Sequence, residues 1–364
     1  MVARVRTDRC QGWTRRIWTA TGALKLVCLL ATLAACTGSS SPSREPTTGP
    51  PRATTAPVEA ARPATAEPAP VELKLAYSAQ AAGMALVKVT EDAGLFRKYG
   101  LVTSPTFVDG PARAVPALMH GDIDVTVTGA APALTAIAQN PDLVIVACIA
   151  TGWSHSLWAE PTIRGPEDLV GKNVGITAIH SLDHEGILDR LRAWNIDPST
   201  ITFVVIAGGI GTRFAALQSG SVSMVALEPP LTSQARDAGF VELADLSKVP
   251  SPIATTVLLS TRAYVDRNQE AVRRLISAYV DGVQVYRTDE ASTIRSLAAF
   301  LDRTAPEDRE ALLETREFWS RRYTNDLRPS IEGLRLTIQM TSLANSAVAG
   351  LTPEQVVDTR GFTN

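Results

Sequence analysis

Hydrophobic and polar positions follow three regimes along the chain. Residues 26–35, Leu26-Val27-Cys28-Leu29-Leu30-Ala31-Thr32-Leu33-Ala34-Ala35, make one apolar run of ten. Residues 37–70 are mostly Ser, Thr, Ala and Pro, with no aromatic side chain. From residue 71 onward, short apolar stretches alternate with patterns of helical period, which predicts an α/β body. Val71 to Tyr77 alternates like a strand. A small-residue loop, 78–83, follows, and then a helix pattern over 84–99 that stops at Gly100.

The same unit recurs about one hundred residues later. A strand at 173–177 leads into a loop at 178–183 and a helix over 184–194. Phe107-Val108-Asp109-Gly110 aligns with Ile206-Ala207-Gly208-Gly209, residues 117–125 with 216–224, and Thr128-Gly129-Ala130-Ala131-Pro132 with Leu227-Glu228-Pro229-Pro230. Two lobes with one βαβ plan are predicted. A strand at 253–260 returns, followed by helices over 262–287, 289–303, 307–323 and 330–346, separated by Pro306 and Pro329. Lobe 1 is assigned residues 71–160 and 253–364, and lobe 2 residues 161–252. Crossings at 158–161 and 249–252 would form a hinge.

Composition sharpens the first two regimes. Of 364 residues, 45% are hydrophobic and 20% charged, which excludes a disordered polymer. Residues 1–35 hold six basic side chains and one acidic, so setting them aside moves the formal charge from −2 to −7. No nucleic-acid partner is expected of so acidic a body. Ten helical residues rise about 15 Å, half of a roughly 30 Å hydrocarbon layer, so residues 1–35 read as an export signal and not a span. Leu33-Ala34-Ala35-Cys36 is similar to a bacterial lipobox, which implies cleavage before Cys36 and a lipid anchor on its thiol. Arg15-Arg16 is poorly continued for a twin-arginine signal, and general secretion is expected. Residues 36–70 then form a disordered tether, because such a composition cannot offset its ordering entropy by burial. Four cysteines, two of them in the signal, cannot build a disulfide framework.

Loops after strand ends, next to helix N-termini, make the ligand crevice of open α/β sheets. Four would converge here: 78–82, 128–131, 180–183 and 208–211 with Glu228 beside them. The candidate ligand-binding residues are Ser78, Gln80, Ala81, Gly129, Ala130, Trp153, Ser154, His180, Ser181, Asp183, Gly208, Gly209 and Glu228. Trp153, His155 and Trp158 follow a buried run and offer either an aromatic cover for a ligand or core packing. Ser181 or Asp183 is expected to cap a helix. His180 and His184 have a spacing that suits a metal, but no metal is assigned. Phe214 stands where the third glycine of a dinucleotide motif would be, and no GxSxG, Walker, HExxH or CxxC pattern occurs. No catalytic residue and no cofactor is assigned. A carboxylate at Glu228 would oppose simple anions and suit an ammonium group or ring N–H donors.

Residues 91–101 (Glu91-Asp92-Ala93-Gly94-Leu95-Phe96-Arg97-Lys98-Tyr99-Gly100-Leu101), Ala117-Leu118 through Gly121-Asp122-Ile123-Asp124, Thr128-Gly129-Ala130, 168–175 and Ala215-Ala216-Leu217-Gln218-Ser219-Gly220 occur in this order. Together they resemble the SsuA-like sulfonate, nitrate and thiamine-precursor binding proteins of ABC importers, with the type II periplasmic-binding fold. The resemblance implies capture of a small solute (a sulfonate, a pyrimidine or a related amine-bearing compound) and its delivery to a membrane permease, by a monomer tethered outside the cytoplasmic membrane. A pyrimidine-precursor synthase of thiamine biosynthesis on the same fold is the alternative. It would need a cysteine-rich motif, whereas the body carries only Cys148. A ligand sensor is a third reading.

Overall fold

A computed structural model describes residues 69–362, except 180, 207, 208 and 305. The export signal, Cys36 and nearly all of the tether lie outside the described residues, as do His180 and Gly208. The strands are β1 Val71–Glu72, β2 Leu75–Tyr77, β3 Leu101–Val102, β4 Thr106–Phe107, β5 Val125–Gly129, β6 Leu143–Thr151, β7 Ser156–Ala159, β8 Asn173–Ile176, β9 Thr202–Val205, β10 Met224–Leu227, β11 Val241–Asp245 and β12 Ala254–Thr261. The α-helices are α1 Leu86–Asp92, α2 Leu95–Lys98, α3 Pro111–His120, α4 Ala130–Gln139, α5 Leu182–Ala193, α6 Ile210–Gln218, α7 Leu231–Asp237, α8 Arg262–Arg267, α9 Gln269–Thr288, α10 Glu290–Leu301, α11 Arg309–Ser320, α12 Ile331–Ala344 and α13 Pro353–Val356.

Two five-stranded sheets organise the body. The first has the order β4-β2-β5-β12-β6 and the second β11-β7-β10-β8-β9. In the first, β12 runs antiparallel to both β5 and β6. In the second, β7 runs antiparallel to β10 and β11. Each sheet carries apolar clusters on both faces, so strands covered on both sides read as unbroken hydrophobic runs: Leu143 to Ala150 in β6 are all buried. The expected helix over 84–99 is split at Gly94, whose φ of 68° lies in the left-handed region that glycine enters without steric cost. The helix expected over 262–287 breaks at Asn268. In α9, Val272, Leu275, Ile276, Tyr279, Val283 and Tyr286 keep the 3.6-residue stripe that packs on lobe 1.

The first crossing lies earlier than expected. Trp158 and Ala159 belong to β7, which pairs in the second sheet, so the chain leaves the first sheet at 152–155. The return follows Lys248 and enters β12 at Ala254. After α11 the chain runs along the outer side of β6: Cys148 N donates to Leu327 O at 2.8 Å, Thr324 N to Ile149 O at 2.9 Å, and Asp358 N to Ile145 O at 2.9 Å. No described helix is long and apolar enough to cross a membrane.

Candidate functional site

Between the lobes lies a cavity of about 760 Å3. Lobe 1 supplies Gly129, α4, and parts of α3 and α12, while lobe 2 supplies His155, Thr177 to Ile179 and Ser181 to Asp183. Gly129 ends β5 in extended backbone and Ala130 opens α4, with no side chain capping the helix. The small side chains at this junction let the crevice reach the first-turn N–H groups, which have no intrahelical acceptor.

Asp183 anchors the facing loop. Thr177 donates to its Oδ2 from both N and Oγ1, at 2.8 and 2.9 Å. Ser181 Oγ lies against both Asp183 Oδ1 and Ala178 O. Arg213, one turn into α6, places Nε 3.8 Å from Asp183 Oδ2, and both side chains are buried. Burial pushes the Asp183 carboxyl up, but His155, Ser181, Arg213 and Thr177 together outweigh it and hold the group below the usual range. The expectation of a side-chain cap on this helix is corrected here. Neither Ser181 nor Asp183 caps α5 through its side chain, because the Asp183 carboxylate is turned back onto Thr177.

Two further charges couple electrostatically to this pair, and neither lines the cavity, contrary to the expectation for Glu228. Burial pushes the Glu228 carboxyl up to about 7 against the pull of Arg213 and Arg322. Arg322, just after α11, donates from Nε to Trp153 O at 2.8 Å and from Nη1 to Phe318 O at 2.9 Å, with its guanidinium 3.7 Å from the Phe318 ring centre. Burial pushes His155 down to about 4, opposed by Asp183 and reinforced by Arg213 and Arg322. At neutral pH His155 is therefore uncharged and Asp183 ionised, while Glu228 is poised between its two forms beside two cations. Protonated Glu228 leaves the cluster net positive and receptive to an anion; ionised Glu228 leaves it neutral.

Gly129, Ala130, Ser181 and Asp183 come together around the cavity. Ser78 does not line it: it is buried and donates to Thr128 Oγ1 at 3.0 Å, tying β2 to β5. Gln80 is exposed, Ala81 accepts from Met84 N at 2.8 Å, and Gly209 is an exposed residue before α6. Trp153 takes the core-packing alternative, buried in the second lobe's cluster against Gly186. Ser154 Oγ sits 3.3 Å from His155 Nδ1. Trp158 is buried in the cluster on the other face of the second sheet. Among the described residues no group of three His, Cys, Asp or Glu side chains could hold a metal. Sequence reasoning missed Thr177, Arg322 and Met340.

Comparison with known proteins places this geometry. The model of the NMT1/THI5 like family matches residues 83–291. The taurine-binding periplasmic protein of Escherichia coli strain K12 is 29% identical over 181 residues, 49% of this chain and 55% of that protein, so the chain spans about half the length of this curated relative. The periplasmic aliphatic sulphonate binding protein SsuA of Escherichia coli superposes with a TM-score of 0.65 at 21% identity, covering 80% of this chain and 93% of that one. The alkanesulfonate-binding protein SsuA of Xanthomonas axonopodis pv. citri, bound to MOPS, gives 0.58 at 19% identity over 79% and 96%. These two likenesses establish a shared fold, that of periplasmic binding proteins. With more than half of its length matched by the family model, the chain belongs to the NMT1/THI5-like family.

Proposed function

We propose that this chain is an exported solute-binding protein that captures a small polar solute between its lobes and delivers it to an ABC permease. The observation that carries this reading is the group of charges Asp183, Arg213, Glu228 and Arg322, drawn from both lobes, in which Asp183 lines the interlobe cavity and Arg213 lies 3.8 Å from it. A solute that touches both lobes favours the closed arrangement, and that closed shape is what a permease would recognise. The E. coli relative's name points to an aminosulfonate, whose two ends suit this cluster: the sulfonate faces Arg213, the ammonium Glu228. A pyrimidine or another amine-bearing compound uses the same carboxylate. We place the protein on the outer face of the cytoplasmic membrane, held as a monomer by lipid on Cys36 and by the 36–70 tether.

Binding without catalysis is the reading supported by Cys148. A synthase on this fold would call on cysteine chemistry, and burial pushes this thiol up to about 12 inside β6. The test is mass spectrometry of small molecules that co-purify with the full chain, followed by thermal shift with sulfonates, amines and pyrimidines. A stoichiometric sulfonate or amine bears the reading out; catalytic turnover of the bound compound sinks it. Cys36→Ser should release the protein into the soluble fraction, and unchanged membrane association removes the lipid anchor.

A further inference from the structure

The first crossing between the lobes turns on one residue. Gly152, between β6 and the buried Trp153, has a φ of 88°, a left-handed conformation that glycine enters without steric cost. Its N–H donates to Ile253 O at 2.8 Å, which ties the outgoing crossing to the returning one. Arg322 brackets this glycine. Its main-chain O accepts from Thr151 N at 3.1 Å, one residue before, and its Nε donates to Trp153 O at 2.8 Å, one residue after. The side chain has little freedom to leave: Nη1 donates to Phe318 O at 2.9 Å and the guanidinium lies on the Phe318 ring. Burial pushes the guanidinium down to about 10, opposed by Asp245 and Glu228 and reinforced by Arg321, so it stays charged at neutral pH. Both opposing carboxylates belong to the second lobe.

Trp153 in turn is seated on α5. A Cβ added at Gly186 would lie 3.2 Å from Trp153 Cζ3 and 2.7 Å from Leu246 Cδ1, so the indole meets the helix with no side chain between them. Gly186 stands three residues beyond Asp183, whose carboxylate holds Thr177 and Ser181. Close-packed contacts of this kind transmit a displacement rather than absorb it. A turn at Gly152 that moves the Trp153 carbonyl must break its bond to Arg322, and a Trp153 ring that moves takes α5 and Asp183 with it.

We propose that Arg322 is a positioning residue, a strut across the Gly152 pivot that acts through Trp153 and Gly186 to fix where the second lobe presents Ser181 to Asp183 to the crevice. Arg322 itself does not line the cavity. The strut works in the chain with no solute present, so it holds whatever the crevice binds.

The test is hydrogen exchange read by mass spectrometry on the full chain and its Arg322→Met variant, with no solute added. Methionine keeps hydrocarbon against Phe318 and removes the donors. Amides at 151–152 and at 185–189 should exchange about tenfold faster, the factor expected when one hydrogen bond from a charged donor is lost. Those of β6 from 144 to 149, and those of α9, should keep their protection. Arg322→Lys, which retains the charge and serves one carbonyl at a time, should fall between the two. Exchange that quickens evenly across β6 and α9 would make Arg322 a mere stabiliser of the first lobe, and unchanged exchange at 185–189 would uncouple α5 from the pivot; either overturns the proposal. Should Arg322→Met not fold, Gly152→Ala reads the same pivot. Its Cβ meets Ser251 O at an ordinary 3.5 Å, so the positive φ alone is strained, and exchange should rise in the same two segments. No rise there overturns the strut.

Discussion

The two faces of the first sheet meet the second lobe in opposite ways. On one face, α11 presents Glu314 to the start of α7. Its carboxylate accepts from Thr232 Oγ1 at 2.9 Å, from Ser233 Oγ, and from Arg236 Nη1 and Nη2 at 3.1 and 3.3 Å. Burial pushes this carboxyl up, but the bonds from Arg236, Ser233 and Thr232 outweigh it and keep it ionised. On the other face, α12 leans on the second lobe through Leu336 and Met340 and leaves the cavity beside them. Directional hydrogen bonds fix one lobe spacing, whereas apolar contacts tolerate sliding. The difference teaches that one side of the crevice holds the lobes and the other accommodates what enters.

Four changes would break or sharpen this contrast. The largest effect is expected from Gly333→Ala. A Cβ there runs into Pro252 O, a backbone atom on the return crossing, so α12 must shift bodily. We expect a loss of about 3 kcal/mol in urea denaturation; a loss as small as that of a surface variant would mean that α12 is not seated on the crossing. Next comes the pH response of the crevice. Between the unfolded carboxyl value of 4.5 and about 7, the folded chain keeps a Glu228 proton that the unfolded chain releases, so this group's contribution to stability falls as pH rises. His155 runs the other way, its contribution rising from about pH 4 to 6.5. Glu228→Gln removes the first trend alone, and its stability relative to the parent should rise by about 2 kcal/mol from pH 4.5 to 7.5. Parallel stability curves would remove Glu228 from the buried cluster.

Glu314→Ala should cost about 1–2 kcal/mol and widen the lobes in small-angle scattering, because a partly buried carboxylate with several donors is lost. An unchanged radius of gyration would show that the lobes are held elsewhere. The smallest change is Arg236→Ala. Its side chain is 55% exposed, and solvent screening limits the loss to about 0.5 kcal/mol. If double-mutant analysis with Glu314→Ala gives full additivity, the two do not form one latch.

Local pattern carried much of the fold. The helix expected over 330–346 is α12 at Ile331–Ala344, and the run from Leu143 is β6, because periodicity and buried apolar runs are written within a dozen neighbouring residues. The crossing at 152–155 was not legible, since Ser156-Leu157-Trp158-Ala159 can pair with either sheet and only tertiary context selects one. The lining of the cavity was legible where loops follow strand ends, at Gly129, Ala130, Ser181 and Asp183. Ser78 looked equivalent to them, yet its hydroxyl serves a cross-strand bond to Thr128. Arg322 could not be placed from sequence: its partner Trp153 O is 169 residues away, and nothing local marks such a pairing.

The segment that runs along the outer side of β6 has a consequence for solubility. β6 is nine residues long, almost wholly apolar, and stands at the end of its sheet. A bare edge of this kind is a template for strand addition by another chain and for fibril growth. Leu327, Thr324 and Asp358 occupy its free amides and carbonyls, so the C-terminal stretch works as an internal guard against aggregation. A chain released before residue 322 would emerge with that edge open and self-association as its readiest outlet.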